Sequence, residues 1–471
     1  MDTRWWVLIF CAVNGFCTDF FFEEPSVLVQ RLIGTAEACV DGTDACLSLN
    51  LLQFNLIYSA NSWSSAVAAI FAGLLIDRHG SEVSLCASAA LVFIGSLMFA
   101  LGAYSSDSST AFAVMLVGSL ITGLGSGAAV VIMHRLKAFW FLYRELALAF
   151  SVHILMGRLG SAVCFVLLGS IVRQIGLRSC LWLGFVVILF SAGSLVALAF
   201  IDQREATLLS SSPTLGSGKA GVVQRIKQLD GMFWCFVATI FFFYGTTNSF
   251  IANGPNFIAT QYGFSEAAAS IITGIVYDIA LLAPLSGWLT DRYGNRQHWL
   301  IGTSILLFIG LLLLYLAPTA PPGIFILLIG MGYTCYAPTI WSSIPLIVPP
   351  DAVGLAMGLG KFFHFIGAGS LIAGAGGILN MQTATSAVPW DSFLIYLICI
   401  AATCCLVCMV VIYLNRTGGR LLTPSQKERD QGNVLSEYTP LRVDYGGAGQ
   451  RPSKSGDELT VSAARPRDDL S

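Results

Sequence analysis

The feature that most constrains this chain is a series of apolar blocks, each about 20 residues long and separated by short polar stretches. An α-helix of that length crosses a hydrocarbon core of roughly 30 Å. Only 11% of the 471 residues are charged, whereas soluble chains carry roughly 25% charged residues. So few charges cannot cover the surface of a soluble protein, so the sequence predicts an integral membrane protein.

The blocks number twelve and fall into two sets of six. Within a bilayer every backbone N–H and C=O group needs a partner inside the protein, so each block is predicted to be a helix. The blocks lie at residues 5–34, 50–76, 83–103, 110–134, 145–170, 179–201, 231–259, 265–289, 298–317, 322–348, 351–379 and 390–414. The predicted fold class is an all-α membrane protein with twelve transmembrane helices in two six-helix halves.

Composition also predicts the division into domains. Residues 1–201 form the N-terminal half, 202–230 a hydrophilic linker rich in Ser, Gly, Lys and Arg, and 231–414 the C-terminal half. The tail, residues 415–471, is polar and lacks periodicity, which predicts disorder. The Lys and Arg residues of the short loops concentrate on the side that carries the linker and both termini, and this bias predicts that side to be cytosolic.

A loop motif occurs twice, once in each half. Residues 73–80 read Gly-Leu-Leu-Ile-Asp-Arg-His-Gly, and residues 287–294 read Gly-Trp-Leu-Thr-Asp-Arg-Tyr-Gly. Glycine permits a tight turn, and the aspartate can cap the next helix or pair with a nearby arginine. A single copy would be weak evidence, but two copies in register indicate an internal repeat. We expect the motif residues to govern conformational change; they are Asp77, Arg78, Gly80, Asp291, Arg292 and Gly294.

This motif and the six-plus-six pattern resemble those of the major facilitator superfamily. Short stretches further resemble its branch of lysosomal dipeptide transporters: residues 53–59, 156–161, 202–204, 262–265, 348–349 and 415–416, and Trp341. The resemblance implies alternating access, uniport of dipeptides from the lysosome to the cytosol, and a glycosylated accessory membrane protein; a homodimer is left open. The first motif copy departs from the family pattern at Glu82, where a basic residue is usual, which implies a weaker ion-pair network.

Ionisable residues within the apolar blocks are candidates for substrate binding, because burying a charge in a bilayer costs at least about 2.5 kcal/mol. Arg158 lies in the fifth block between Gly157 and Gly160, and a guanidinium can bind a carboxylate bidentately. The alternative is a structural ion pair. In the first block, Glu23 and Glu24 precede a proline, and we predict that Glu24 is the one that faces substrate.

Three further candidates lie in the C-terminal half. Lys361 and His364 share one face of the eleventh block, and Asp278 lies in the eighth. The hypothesis is a cavity in which Arg158 binds the carboxylate of a dipeptide and Asp278 binds its ammonium. The alternative is a buried Asp278–Lys361 pair that only fixes packing. The glycine-rich run 123–127 lacks the acid that related transporters carry in the fourth helix, which leaves any preference for cationic dipeptides open.

Other classes of protein find little support in the sequence. We find no metal-ligand spacing, no phosphate-binding loop and no Gly-x-Ser-x-Gly string, so we expect neither an enzyme nor a cofactor or metal. The basic residues form no stripe suited to nucleic acid. Two alternatives to a dipeptide transporter remain. One is a transporter of another small charged solute, such as an amino acid, an organic anion or a drug-like efflux substrate, and the other is a non-transporting receptor or scaffold.

Three sequence features bear on the location of the protein in the cell. Cys39 and Cys46 flank a polar loop and could form a disulfide in an oxidising compartment. In the tail, Tyr438 and Leu441 frame a Tyr-x-x-apolar string of the kind that sorting adaptors read. The Asn415 sequon lies at the cytosolic end of the twelfth block, out of reach of glycosylation. We expect a lysosomal or other endomembrane location, with the plasma membrane as the alternative.

Overall fold

The computed structural model describes residues 3–42, 44–105, 107–141, 146–208, 229–349, 352–382, 390–418 and 421–425, together with Ile226 and Val388. All regular secondary structure in these ranges is helical. The helices are α1 (Thr3–Val27), α2 (Val29–Leu32), α3 (Glu37–Val40), α4 (Leu51–Gly102), α5 (Ser108–Phe141), α6 (Leu146–Val163), α7 (Gly169–Leu208), α8 (Gly231–Tyr262), α9 (Glu266–Ala280), α10 (Ala283–Tyr293), α11 (Arg296–Leu316), α12 (Pro322–Ile347), α13 (Val353–Gln382) and α14 (Trp390–Thr417). A π-helical turn, Cys164–Leu168, joins α6 to α7.

The predicted twelve spans are accounted for by these helices. Nine described helices are long and apolar enough to cross a membrane, or ten if the bent pair α9–α10 forms one span. Two more follow from glycines with positive φ. Gly80 (φ 81°) divides α4 into two arms, and Gly176 (φ 79°) divides the continuous α6–α7 helix into two. The expected all-α fold with two sets of six spans is confirmed.

The spans form an N half (α1–α7) and a C half (α8–α14). Successive spans run in opposite directions, so each end of the bundle can be named by what it carries. The disulfide end carries the loop in which Cys39 and Cys46 are bonded, with their Cα atoms 5.5 Å apart. The terminal end carries the start of α1 and the end of α14.

The glycine-rich run of α5 allows the backbone of this helix to pack directly against the backbone of α4. The main chain of Asn61 occupies the space that a Cβ at Gly123 would need, and the main chain of Ser65 does so at Gly127. Small residues at such positions are what lets membrane helices approach closely. The run is therefore a packing surface.

Two helices differ from the predicted blocks at prolines. The first block was expected to be one helix through residue 34, but α1 ends at Val27 and Pro25 lies inside it without a break. In the eighth span, α9 and α10 meet at an angle of 40°. Pro284 stands in the first turn of α10, where the N–H that proline lacks has no helical partner in any case.

The two motif loops share a backbone conformation. Gly80 and Gly294 both have positive φ, 81° and 62°, as expected for glycine in a tight turn. In the second copy, Asp291 does not cap α11; it pairs with Arg296, which also binds Ser342. Arg292 instead lies over the Trp288 ring, 5.0 Å from its centroid. The side chains of Asp77 and Arg78 lie outside the described part of the chain.

Candidate functional site

A cavity of about 210 Å³ lies between the two halves. Its walls come mainly from α1, α4, α5 and α6 of the N half and from α8, α9, α12 and α13 of the C half. A pocket between two repeats near the middle of the membrane is where transporters of repeated architecture bind their substrates. Most of the ionisable side chains discussed below line this cavity.

Arg158 of α6 reaches into the cavity and is surrounded by aromatic rings and one carboxylate. Its Cζ atom lies 4.8 Å from the Tyr333 ring centroid and 5.7 Å from that of Tyr277. Its Nη1 atom is 3.9 Å from Asp19 Oδ2. A Cβ at Gly157 would lie 2.5 Å from the same oxygen, so this glycine admits the carboxylate. The ion pair is long, which leaves guanidinium N–H groups available to a second carboxylate.

The negative charge of the cavity comes from α1. Asp19 and Glu23 are four residues apart and therefore share one helix face. The Asp19 side chain is 40% exposed, although it lies in the middle of the bundle. Glu23 is buried, and its Oε1 accepts a hydrogen bond of 2.6 Å from the Tyr277 hydroxyl. Its Oε2 has no hydrogen-bond partner among the described residues.

The C half contributes a cation held by aromatic rings. Lys361 Nζ lies 4.3 Å from the Trp341 ring centroid. The His364 ring stacks on Tyr244 with centroids 4.0 Å apart, and Trp341 Nε1–H donates to the Tyr244 hydroxyl at 3.0 Å. Lys361 forms no ion pair with any described residue. The ammonium is therefore open to an anionic group of a ligand.

Two predicted site residues lie outside the cavity lining. Tyr277 faces the cavity, and the half-buried Asp278 is turned about 100° further around α9, since a helix has 3.6 residues per turn. The alternative of an Asp278–Lys361 pair is likewise not formed. Glu24 is fully buried within the N half, where its carboxylate lies against Gly184 of α7. The carboxylates that line the cavity are therefore Asp19 and Glu23, where the sequence predicted Asp278 and Glu24; which carboxylates bind substrate stays a prediction.

Sequence reasoning missed Asp19 and the tyrosines of the C half. One signal was available, because Gly15, Asp19 and Glu23 recur at intervals of four and all line the cavity. Tyr244 and Tyr333 sit in apolar blocks that are rich in aromatic residues, so their positions carry no comparable signal. They become functional candidates only through the folded arrangement around Arg158 and Lys361.

At the disulfide end the halves are joined by a buried ion cluster. Arg31 of α2 is 1% exposed and binds Glu266 at the start of α9, with Nε–Oε1 3.0 Å and Nη2–Oε2 3.1 Å. Arg31 also pairs with Asp44 of the disulfide loop. Burial alone would lower the pKa of Arg31, but its hydrogen bonds and charge interactions with Glu266 and then Asp44 outweigh burial, and the pKa is raised.

Neutral hydrogen bonds join the halves at the same end. The side-chain amides of Asn55 (α4) and Asn253 (α8) exchange two bonds, of 3.0 and 2.8 Å. Ser26 Oγ donates to the Ile251 carbonyl at 2.7 Å.

Toward the terminal end, the cavity lining extends as far as His134 and Met357. The structure is therefore in a state closed at the disulfide end.

The described side chains of the site can bind a charged ligand but are not arranged as a metal centre. Among the described residues no three His, Cys, Asp or Glu side chains are grouped so that they could hold a metal ion. Two cations and two carboxylates line one cavity, with rings between them. His153, another lining residue, bonds through Nδ1 to the Cys11 carbonyl at 2.8 Å.

Comparison with known proteins places the chain in a family. The sequence profile of the Major Facilitator Superfamily matches residues 43–373 and, in an overlapping second match, residues 235–451. The chain belongs to this superfamily. It is therefore a multi-pass membrane transporter with a small-molecule substrate, and not an enzyme.

Relatives within the superfamily include proteins named lysosomal dipeptide transporter MFSD1. Those of Homo sapiens and Pongo abelii are each 27% identical over 441 residues, covering 90% of this chain and 89% of the relative. Among solved structures, the peptide transporter POT in complex with sulfate aligns with a TM-score of 0.64 at 14% identity, covering 89% of this chain and 96% of that one. A D-xylose–proton symporter aligns equally well, with a TM-score of 0.64 at 16% identity, covering 86% and 97%. These structural likenesses concern the fold alone.

Proposed function

We propose that this superfamily member moves dipeptides across the lysosomal membrane to the cytosol by alternating access. The observation that carries the proposal is the charge pattern of the cavity, with two cations (Arg158 and Lys361) and two carboxylates (Asp19 and Glu23) around one space between the halves. A free dipeptide carries one ammonium and one carboxylate. The MFSD1 relatives, at 27% identity over most of the chain, support the same substrate class.

In the proposed binding mode, each end of the dipeptide meets the opposite charge. Lys361 has no carboxylate partner among the described residues and Arg158 has only a long one, so these two bind the ligand carboxylate. Asp19, which is exposed to the cavity, and Glu23, which has an unpartnered oxygen, bind the ammonium. Since Lys361 belongs to the C half and the other three to the N half, a bound dipeptide would bridge the halves.

The proposed orientation puts the disulfide end in the lysosomal lumen and both termini in the cytosol. A disulfide persists in an oxidising compartment, and the basic loops mark the other side as cytosolic. Uniport is the proposed mode, because peptides produced by proteolysis in the lumen can leave down their own gradient. Asn415 of the sequon is buried and donates a hydrogen bond to Thr423 at the terminal end, so it would not be glycosylated. Glycans on the lumenal side would then have to be carried by an accessory membrane protein.

The test is a ligand series on purified protein, in thermal-shift and proteoliposome flux assays. We expect unmodified dipeptides to stabilise the protein and to be transported, and their N-acetylated and C-amidated forms to do so weakly. A C-amidated dipeptide should also bind wild type and Lys361→Met with similar affinity, because amidation already removes the carboxylate that Lys361 would bind. Equal effects of free and doubly blocked dipeptides would contradict the proposal.

The alternatives give different outcomes in the same assays. If free amino acids stabilise the protein as strongly as dipeptides and are transported, the substrate is a smaller zwitterion. Saturable binding with no flux in either orientation of the proteoliposomes would indicate a receptor instead.

A further inference from the structure

One hydrogen bond inside the cavity crosses from one half to the other. Tyr277 of α9, in the C half, donates its hydroxyl to Glu23 Oε1 of α1, in the N half, at 2.6 Å. Both side chains are nearly inaccessible to solvent, at 1% and 3% exposure. A hydrogen bond to a carboxylate is roughly twice as strong as one between neutral groups. This bond can form only while the halves lie close together at this depth.

The same tyrosine contacts the positive charge of the N half. Its ring centroid lies 5.7 Å from Arg158 Cζ, within the range of cation–π attraction. Tyr333 also lies under Arg158, at 4.8 Å, but its hydroxyl makes no hydrogen bond to a described residue. Tyr277 is therefore distinguished from Tyr333 by its bond across the halves to Glu23.

Glu23 has a second oxygen that can serve the ligand. Glu23 lines the cavity, and its Oε2 is buried and has no hydrogen-bond partner among the described residues. Leaving a buried carboxylate oxygen unpaired is costly, so an ammonium donor fits this position. One carboxylate can then accept from the ligand through Oε2 and from Tyr277 through Oε1.

We propose that Tyr277 is a positioning residue that couples occupation of Glu23 by the ligand amine to closure of the disulfide end; this rests on the proposed function. An ammonium bound at Oε2 fixes the Glu23 carboxylate in place. The fixed carboxylate keeps Oε1 available to the Tyr277 hydroxyl, and that hydrogen bond holds α9 against α1. Glu266, at the start of the same helix α9, completes the ion cluster with Arg31. Amine binding therefore favours the closed state, in which the substrate can pass on toward the terminal end.

The experiment compares Tyr277→Phe with the matched control Tyr333→Phe. Both changes remove one hydroxyl beneath Arg158 and keep the ring, but only the first breaks the bond between the halves. Hydrogen–deuterium exchange is measured on full-length protein in nanodiscs, for peptides that cover α2 and the start of α9. In ligand-free protein, Tyr277→Phe should exchange about tenfold faster there than wild type, because the hydrogen bond that joins α9 to α1 is lost, while Tyr333→Phe should exchange like wild type.

Transport kinetics separate positioning from binding. Tyr277→Phe should lower the maximal rate of dipeptide flux about tenfold with KM within about threefold of wild type, whereas Glu23→Gln should raise KM by more than tenfold. Equal exchange in the two Phe variants would overturn the inference, as would a Tyr277→Phe protein that shifts only KM. If no dipeptide protects the wild type, the proposed function fails, but the ligand-free comparison still decides the role of Tyr277.

Discussion

At the residue scale, the two cavity cations differ in how they are held. Lys361 lies over the Trp341 indole ring and has no ion-pair partner among the described residues, whereas Arg158 lies over two phenol rings and within 3.9 Å of Asp19. A tight buried pair loses much stability when one partner is removed. The Asp19 carboxylate is 40% exposed to the cavity, so it can remain hydrated without Arg158. This environment favours a role in substrate binding.

We therefore expect Arg158→Ala to abolish dipeptide flux while yield and melting temperature stay close to wild type. Arg158→Lys should recover only part of the flux, because an ammonium keeps the charge but lacks the planar bidentate fork. Flux in proteoliposomes and thermal unfolding of the same preparations measure both effects. A folded Arg158→Ala protein with normal flux would exclude the assignment, and a large loss of stability would favour a structural ion pair.

At the element scale, each half ties its motif loop to its own last span. In the N half, Ser81 donates to Asp202 near the end of α7. In the C half the tie runs through residues 421–425, which follow α14. The Leu422 and Thr423 carbonyls accept hydrogen bonds of 2.9 and 3.0 Å from the backbone N–H groups of Arg296 and Asn295. Both ties lie at the terminal end, the end at which the halves must close in the next state.

Gly294 lies in close contact with the docked segment 421–425. Its φ is 62°, and a Cβ there would lie 2.5 Å from the Thr423 carbonyl oxygen. We expect Gly294→Ala to destabilise the protein by about 1–3 kcal/mol, the usual range for backbone strain of this kind. Gly287→Ala is the matched control, since its Cβ would meet only Pro338 at 3.5 Å. Similar melting temperatures for the two variants would contradict this account.

The ion cluster at the disulfide end offers a second test at this scale. Glu266→Gln keeps the shape of the side chain but weakens its bond to the buried Arg31, so exchange at α2 should accelerate and the open state gain population. The control is Glu37→Gln, which breaks the exposed pair with Arg173, whose side chains are 87% and 59% exposed. Exposed pairs contribute little, so this variant should behave as wild type. If both variants leave exchange unchanged, Arg31–Glu266 does not hold the halves together.

At the scale of the whole molecule, the two halves are held together at one end around a charged cavity. This asymmetry agrees with alternating access, in which closure moves from one end to the other around a central site. The disulfide loop, the ion cluster and the asparagine pair all lie at the closed end. The state described here is the one that would release a substrate toward the terminal end.

The sequence predicts that the tail directs the location of the protein in the cell. Tyr438 and Leu441 lie outside the described residues, and their sorting role stays a prediction from the sequence. Tyr438→Ala should move the protein from lysosomes to the plasma membrane, as scored by microscopy and surface biotinylation, while flux per molecule is unchanged. An unaltered distribution would mean that another signal, or an accessory protein, directs the sorting.

The sequence by itself determined the number of spans and the repeat. Apolar blocks of about 20 residues specify transmembrane helices because lipid offers no hydrogen-bond partners to an open backbone. The paired loop motif specified two related halves, since Gly80 and Gly294 must both adopt a positive φ. The sequence also singled out Arg158, Lys361 and His364, because charged or polar side chains are costly in a bilayer whichever way they point.

Only the tertiary structure decided which carboxylates share the cavity with these residues. Glu23 and Glu24 are adjacent, as are Tyr277 and Asp278, and within each pair the neighbours differ by about 100° around the helix. Which member faces the cavity depends on the rotation of α1 and α9, and that rotation is set by packing against other helices, as Gly184 shows against Glu24. An apolar block carries too little amphipathic pattern to specify this rotation, so long-range contacts decide it.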